Sequence, residues 1–211
     1  MKRPIYICIT GPDGSGKSTV ISRLKEEIEK KGKTVRETGV WDFLRESGIR
    51  GPGIFPENSD VDRYLGFLSQ DSRPLFIFHW LIESLRHARE FDFVLLNGYI
   101  YKYIASEVAL GADRDFLKRT AQIFPLPDLT FFLTVEARIA AERKSHFTSY
   151  ECGLRKKTLS NFVDFQTRTG QVFEEMREQH GWIKIVSDHP LDDIVQSILN
   201  EMNSHGFLAS H

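Results

Sequence analysis

The segment Gly11-Pro12-Asp13-Gly14-Ser15-Gly16-Lys17-Ser18 constrains this chain more than any other part of it. Its glycines, lysine and hydroxyl have the spacing of a P-loop, and the flanking residues supply the strand and helix that such a loop must join. Ahead of it, Ile5-Tyr6-Ile7-Cys8-Ile9-Thr10 reads as a strand buried on both faces. Behind it, Val20, Leu24 and Ile28 recur at four-residue spacing and Gly32 closes a lysine-rich last turn, which predicts a helix from Ser18 to about Lys31. Glycines let the backbone turn its amides inward, so that several donors converge on a phosphate at the positive end of the helix. Lys17 adds a point charge toward the β and γ phosphates. Ser18 is placed to give its hydroxyl to Mg²⁺, which on nucleotide phosphates takes only one or two protein oxygens. Such a pattern arises by chance in on the order of one chain in a hundred of this length, before strand and helix context is demanded. The candidate ATP-binding residues are therefore Gly11, Pro12, Asp13, Gly14, Ser15, Gly16, Lys17, Ser18 and Thr19, with Ser18 as the metal ligand. Binding does not by itself establish transfer, because GTPases, ATPases and kinases share the cradle.

The rest of the chain alternates strands with helices. Lys33–Glu37, Asp92–Leu96, Leu129–Val135 and Trp182–Val186 read as further strands. Helices are predicted over Asp60–Ser69, Leu75–Arg89 (opened by Pro74), Tyr101–Leu110 and Asp113–Phe124. Another starts near Glu136, a long one runs from Leu159 to near Gly181, and a terminal one spans Leu191–Met202, capped by Asp188 or His189-Pro190. Thr38 to Glu57, rich in Gly and Pro, reads as a long functional loop. This alternation implies right-handed βαβ units and a parallel sheet with helices on both faces. With 211 residues and no internal repeat or linker, one domain spanning residues 1–211 is expected.

Charge narrows the partners. With 28 basic against 29 acidic residues, no global field exists to hold a nucleic acid or an anionic membrane. No apolar stretch approaches the roughly 20 residues of a membrane span. Cys8 and Cys152 lack the spacing of a zinc or redox pair and read as reduced thiols in a cytoplasmic protein.

The loop Gly11 to Thr19 closely resembles that of the thymidylate kinases, which carry an acidic residue at its third place. Arg36-Glu37 resembles the family's Arg-Glu-Pro segment, with Thr38 at the proline. Pro127 to Leu133 looks like the family's fourth strand and Glu142-Arg143 like the start of its lid, so the resemblance covers nearly the whole chain. It implies a three-layer α/β/α fold with a five-stranded parallel sheet, a lid at about residues 145–157, a homodimer, and transfer of the γ-phosphate of MgATP to the 5′-phosphate of dTMP. Lids of one subgroup supply a catalytic cation. Here Arg143, Lys144, Arg155, Lys156 and Lys157 crowd that region, though such residues also read as a solvated face.

The acceptor half departs from the pattern. The family's Asp-Arg-Tyr or Asp-Arg-His after the third strand is matched by Asn97, Gly98 and Tyr99. The Phe and Arg of its base-binding helix are matched by Phe76 and Trp80, which beside Phe78 also read as core. Tyr103 and Ser106 stand where the thymine ring is read. The expected catalytic residues are Lys17, Arg143 and Asp13; the expected acceptor-binding residues are Glu37, Phe76, Trp80, Asn97, Tyr99 and Tyr103. The expected activity is a thymidylate kinase-like phosphotransfer to a nucleoside monophosphate, with ATP and Mg²⁺. The alternatives are a kinase for a nucleoside or small metabolite, with Asp92 or Glu107 standing in as base, and a nucleotide-binding protein that has lost transfer.

Overall fold

The computed structural model describes residues 3–42, 58–86 and 88–208. Most of the Gly- and Pro-rich loop expected over Thr38–Glu57 lies outside the described residues. Strands β1 (Ile5–Thr10), β2 (Val35–Thr38), β3 (Phe93–Asn97), β4 (Leu129–Thr134) and β5 (Ile183–Val186) form one sheet in the order β2-β3-β1-β4-β5, and every pairing is parallel.

The near-continuous apolar runs follow from burial of both faces. Successive side chains point to opposite sides, so Ile7, Ile9, Phe93, Leu95, Phe131 and Leu133 share one core. That core is covered by α1 (Lys17–Glu29) through Val20, Ile21, Leu24 and Ile28, and by the last helix, α8 (Leu191–Ser204), through Ile194, Ile198 and Met202. Tyr6, Cys8, Val94, Leu96 and Phe132 face the other core. Its cover comes from α2 (Asn58–Phe67), α3 (Ser72–Ser84), α4 (Tyr99–Ala109), α5 (Arg114–Ala121) and α7 (Leu159–His180). A short α6 (Ala137–Glu142) leads from β4 toward the lid. The result is a three-layer α/β/α fold. No helix among the described residues is long and apolar enough to cross a membrane, and Cys8 and Cys152 are both buried free thiols.

Several boundaries differ from the sequence reading. The helix expected over Leu75–Arg89 begins earlier, at Ser72, and ends at Ser84, where Thr38 Oγ1 donates 3.0 Å to the Ser84 carbonyl. The chain then tightens through Leu85 N–H to Ile82 O and Arg86 N–H to Glu83 O and makes a separate 3₁₀ turn, Ala88–Glu90. The terminal helix has Pro190 at its N-cap and no side-chain cap from Asp188 or His189. The lid segment, read as polar throughout, contains a 3₁₀ turn, Tyr150–Cys152, whose Tyr150 and Cys152 are buried.

Two carboxylates hold that turn. Asp62 of α2 accepts from Ser149 N–H (3.0 Å), Ser149 Oγ (2.7 Å) and Tyr150 N–H (3.0 Å), and pairs with Lys157 at 2.9 Å. Burial by itself would raise the Asp62 pKa, but these hydrogen bonds and the lysine outweigh it and hold it below the ordinary carboxylate value. Deeper in, Glu107 of α4 takes both Arg73 Nε (2.9 and 3.1 Å) and the Tyr150 hydroxyl (2.9 Å), with the Arg73 and Glu107 side chains 5% and 0% exposed. Glu107 is thus a structural anchor of α3, α4 and the lid, and not a stand-in base. Asp92 lies at the N-terminal end of β3, bonded to Thr34 N–H at 2.8 Å, the strand's length away from Asn97.

Removing one partner of a buried pair strands the other charge, which costs about 3–5 kcal/mol, whereas replacing both by apolar groups is far less costly. Arg73→Met and Glu107→Met should each lower the urea midpoint sharply, and the double variant should be more stable than the sum of the two losses implies. Additive losses in the four-way cycle would contradict this assignment.

Candidate active site

β1 has β3 on one side and β4 on the other, and the connection through α1 leaves on the opposite face from the one through α4. A crevice therefore opens beyond the C-terminal ends of β1 and β3, where open α/β sheets bind ligands. The Gly11–Thr19 loop occupies it. Gly14 has φ +82°, and a Cβ there would stand 2.5 Å from the Ala140 carbonyl oxygen, so only glycine lets the loop pass this close to α6. Gly16 is the N-cap of α1, and Val20 N–H to Gly16 O (3.0 Å) is the first bond of the helix. The amides of Lys17, Ser18 and Thr19 have no partner inside the helix, and the macrodipole puts roughly half a positive charge at this end.

Gly14, Gly16, Lys17, Ser18 and Thr19 line a cavity of about 400 Å³ together with Asp13, Gly39, Val40, Trp41, Asn97, Lys102, Tyr103, Lys144 and Glu151. Lys17 is 7% exposed, and its Nζ donates to the carbonyls of Gly11 (2.9 Å) and Pro12 (2.7 Å). Burial depresses its pKa to about 8, against the opposing pull of the Asp13 carboxylate. Asp13, also buried, pairs with Lys102 at 2.6 Å. Burial would raise its pKa, but Lys102 and Lys17 outweigh that and hold it below the ordinary value. The loop is fixed from behind by Gln166 of α7, whose Oε1 accepts Asp13 N–H (2.9 Å) while its Nε2 donates to the Glu151 carbonyl (3.0 Å).

At the end of β3, Asn97 Nδ2 donates to Ser18 Oγ (3.1 Å) and to Glu37 Oε1 (3.3 Å). Strand pairing sets this up, because β3 lies between β1 and β2 and brings position 97 beside the loop and beside the end of β2. A hydroxyl and a carboxylate thus stand together at the mouth of the loop, bridged by the carboxamide nitrogen of Asn97.

The structure brings together the loop, Glu37, Asn97 and Tyr103, but not the whole expected set. Tyr99 is a correction: it is fully buried at φ +51°, and its hydroxyl donates to the Pro125 carbonyl at 2.8 Å, so it belongs to the core. Arg143 does not line the cavity: its guanidinium bonds Ser187 Oγ (3.3 Å) and Ser187 O (2.9 Å) beyond β5, and the lid cation on the cavity wall is Lys144, paired with Glu151 at 2.9 Å. Phe76 and Trp80 form an edge-to-face pair with centroids 6.0 Å apart, and Phe76 lies 6.5 Å from Trp41, so they back the wall without lining it. Sequence reasoning missed Lys102, Trp41 and Gln166. The signal for Lys102 was its place one helical turn beyond Gly98; Gln166 left none.

No family model matches the chain. Among curated proteins it is 32% identical over 140 residues to a probable thymidylate kinase of Pyrobaculum aerophilum, covering 65% of this chain and 68% of the relative. It is 27% identical over 215 residues to the thymidylate kinase of Dictyostelium discoideum, covering 97% and 87% of the two chains. With the thymidylate kinase of Caenorhabditis elegans the identity is 25% over 213 residues, covering 93% and 89%. Loop, sheet order and these likenesses agree: the chain belongs to the thymidylate kinase family.

Proposed function

We propose that this protein transfers the γ-phosphate of ATP to the 5′-phosphate of a nucleoside monophosphate, with dTMP the acceptor that the names of its relatives support. The observation that carries the reading is the shared cavity: the phosphate loop and the acceptor-side residues Asn97, Tyr103 and Trp41 line one space of about 400 Å³. Direct transfer needs donor and acceptor in one water-poor space with the reacting oxygens in line.

The loop amides and Lys17 grip the β and γ phosphates, and Lys17 and Lys144 face the charge that spreads over the transferred group. Lys144 takes the part expected of Arg143. The oxygens at the mouth of the loop fit magnesium carried on nucleotide phosphates: Ser18 Oγ would hold the ion, with the Glu37 carboxylate behind it and the Asn97 amide nitrogen bridging the two. That ion would neutralise phosphate charge as the bond to the leaving oxygen stretches. Asn97 orients Ser18 and Glu37 without adding charge, where the family pattern has an aspartate. Tyr103, Val40 and Trp41 wall the acceptor end, with Phe76 and Trp80 packed behind.

In a coupled assay with MgATP and dTMP the protein should release ADP and form dTDP. Lys17→Ala should lower kcat by at least about 10²–10³-fold with little change in melting temperature. Absence of dTDP from wild-type protein, or an unimpaired Lys17→Ala, would overturn the reading.

A second expectation follows from the Lys17 pKa of about 8. Phosphate oxygens next to the ammonium raise that pKa. Between about pH 8 and the ordinary lysine value of ~10.4 the complex therefore holds more protons than the free protein, and ATP affinity falls as pH rises. Calorimetric titration of ATP at pH 9 in two buffers of different ionisation enthalpy should show net proton uptake, absent in Lys17→Met. Equal heats for the wild type in both buffers would contradict it.

A further inference from the structure

Gly98 and Lys102 compete for one volume. A Cβ at position 98 would stand 3.2 Å from both Cβ and Cδ of Lys102, closer than side chains normally pack, and Gly98 holds φ +73°. The lysine stem lies over the bare glycine, and its ammonium reaches Asp13 Oδ1 at 2.6 Å. The bare glycine at 98 thus leaves open the volume that the Lys102 stem occupies. The family pattern has an arginine at the first position. Here a positive charge arrives at the loop from one helical turn later.

The Lys102 ammonium stands on the cavity wall, 5.8 Å from the centroid of the ring of Tyr103, a residue of the expected acceptor set. Three lysines line this space, Lys17, Lys102 and Lys144, against two carboxylates, Asp13 and Glu151. Lys17 belongs to the donor triphosphate, and Lys144 is drawn to Glu151 at 2.9 Å. Lys102 keeps 20% of its side chain exposed, although it is held to an almost buried aspartate. It remains charged: burial works against the ammonium, but Asp13 outweighs it and raises its pKa.

We propose that Lys102 is the cation that receives the phosphate of the acceptor nucleotide. The proposal rests on the kinase reading above. A phosphate dianion entering this cavity sheds hydration and needs a charged donor in compensation. An ammonium has three protons to give, so Lys102 can keep Asp13 while it binds a phosphate oxygen. A lysine holds phosphate as a point charge and not as a planar fork, so it fixes the position of the acceptor phosphate more than its rotation.

The test is equilibrium titration of the full chain, loaded with a non-hydrolysable ATP analogue and magnesium, with dTMP and separately with thymidine, beside steady-state kinetics with dTMP. Lys102→Met should weaken dTMP about 10- to 100-fold and raise its KM similarly, leave thymidine and the ATP analogue within about threefold, and be rescued by Lys102→Arg. Unchanged dTMP affinity in Lys102→Met overturns the proposal. So does a parallel loss of the ATP analogue, which would make Lys102 a strut for the loop. Wild-type protein that binds dTMP through Lys102 but forms no dTDP would sink the kinase reading and leave this assignment standing; wild-type protein that binds no dTMP overturns both.

Discussion

Lys17 is a lysine ammonium held almost out of solvent at the C-terminal end of β1, surrounded by carbonyls of its own loop, and much of the structure serves to keep it there. An ammonium in such a place is costly unless a countercharge is close, which is why burial drags its pKa down. The main countercharge on the protein is Asp13, itself shared with Lys102, with Glu151 adding less. A polyphosphate supplies what those carboxylates do not. The loop can carry this charge because α6 and α7 come close enough to brace it, α6 through the close pass at Gly14 and α7 through Gln166.

The end of β3 departs from the family pattern without dismantling the fold. β3 still delivers its last residue to the loop, but Asn97 arrives there as a neutral bridge between Ser18 and Glu37. The residue after it has no side chain, and a lysine from α4 uses the room. The aromatic pair Phe76 and Trp80 stands behind Trp41, so this wall of the cavity is carried by the segment after β2. The lid is tied to the same half of the molecule through Asp62 and through Tyr150 to Glu107, which couples its turn to α2 and α4.

The Gly11–Thr19 loop was legible in the sequence because it is local: nine consecutive residues between one strand and one helix. The five strands and the long α7 were legible because apolar runs and helical spacing survive without tertiary knowledge. The rest of the cavity wall was not, for identifiable reasons. Lys102 and Gln166 meet Asp13 across 89 and 153 residues of chain, and no spacing rule reaches that far. Tyr99 occupies a position next to functional ones, but the turn at Gly98 sends its ring into the core. Arg143 and Lys144 are adjacent in sequence, and only the course of the chain after α6 decides which of them faces the cavity.

The central claim is that donor and acceptor phosphates share one continuous space around Lys17. A bisubstrate ligand, in which adenosine and thymidine are joined through a chain of phosphates, tests it most directly by calorimetric titration with magnesium. One molecule should bind per chain, far more tightly than ATP or dTMP alone, and should displace both. Binding no tighter than ATP, with dTMP still able to bind beside it, would contradict a shared site.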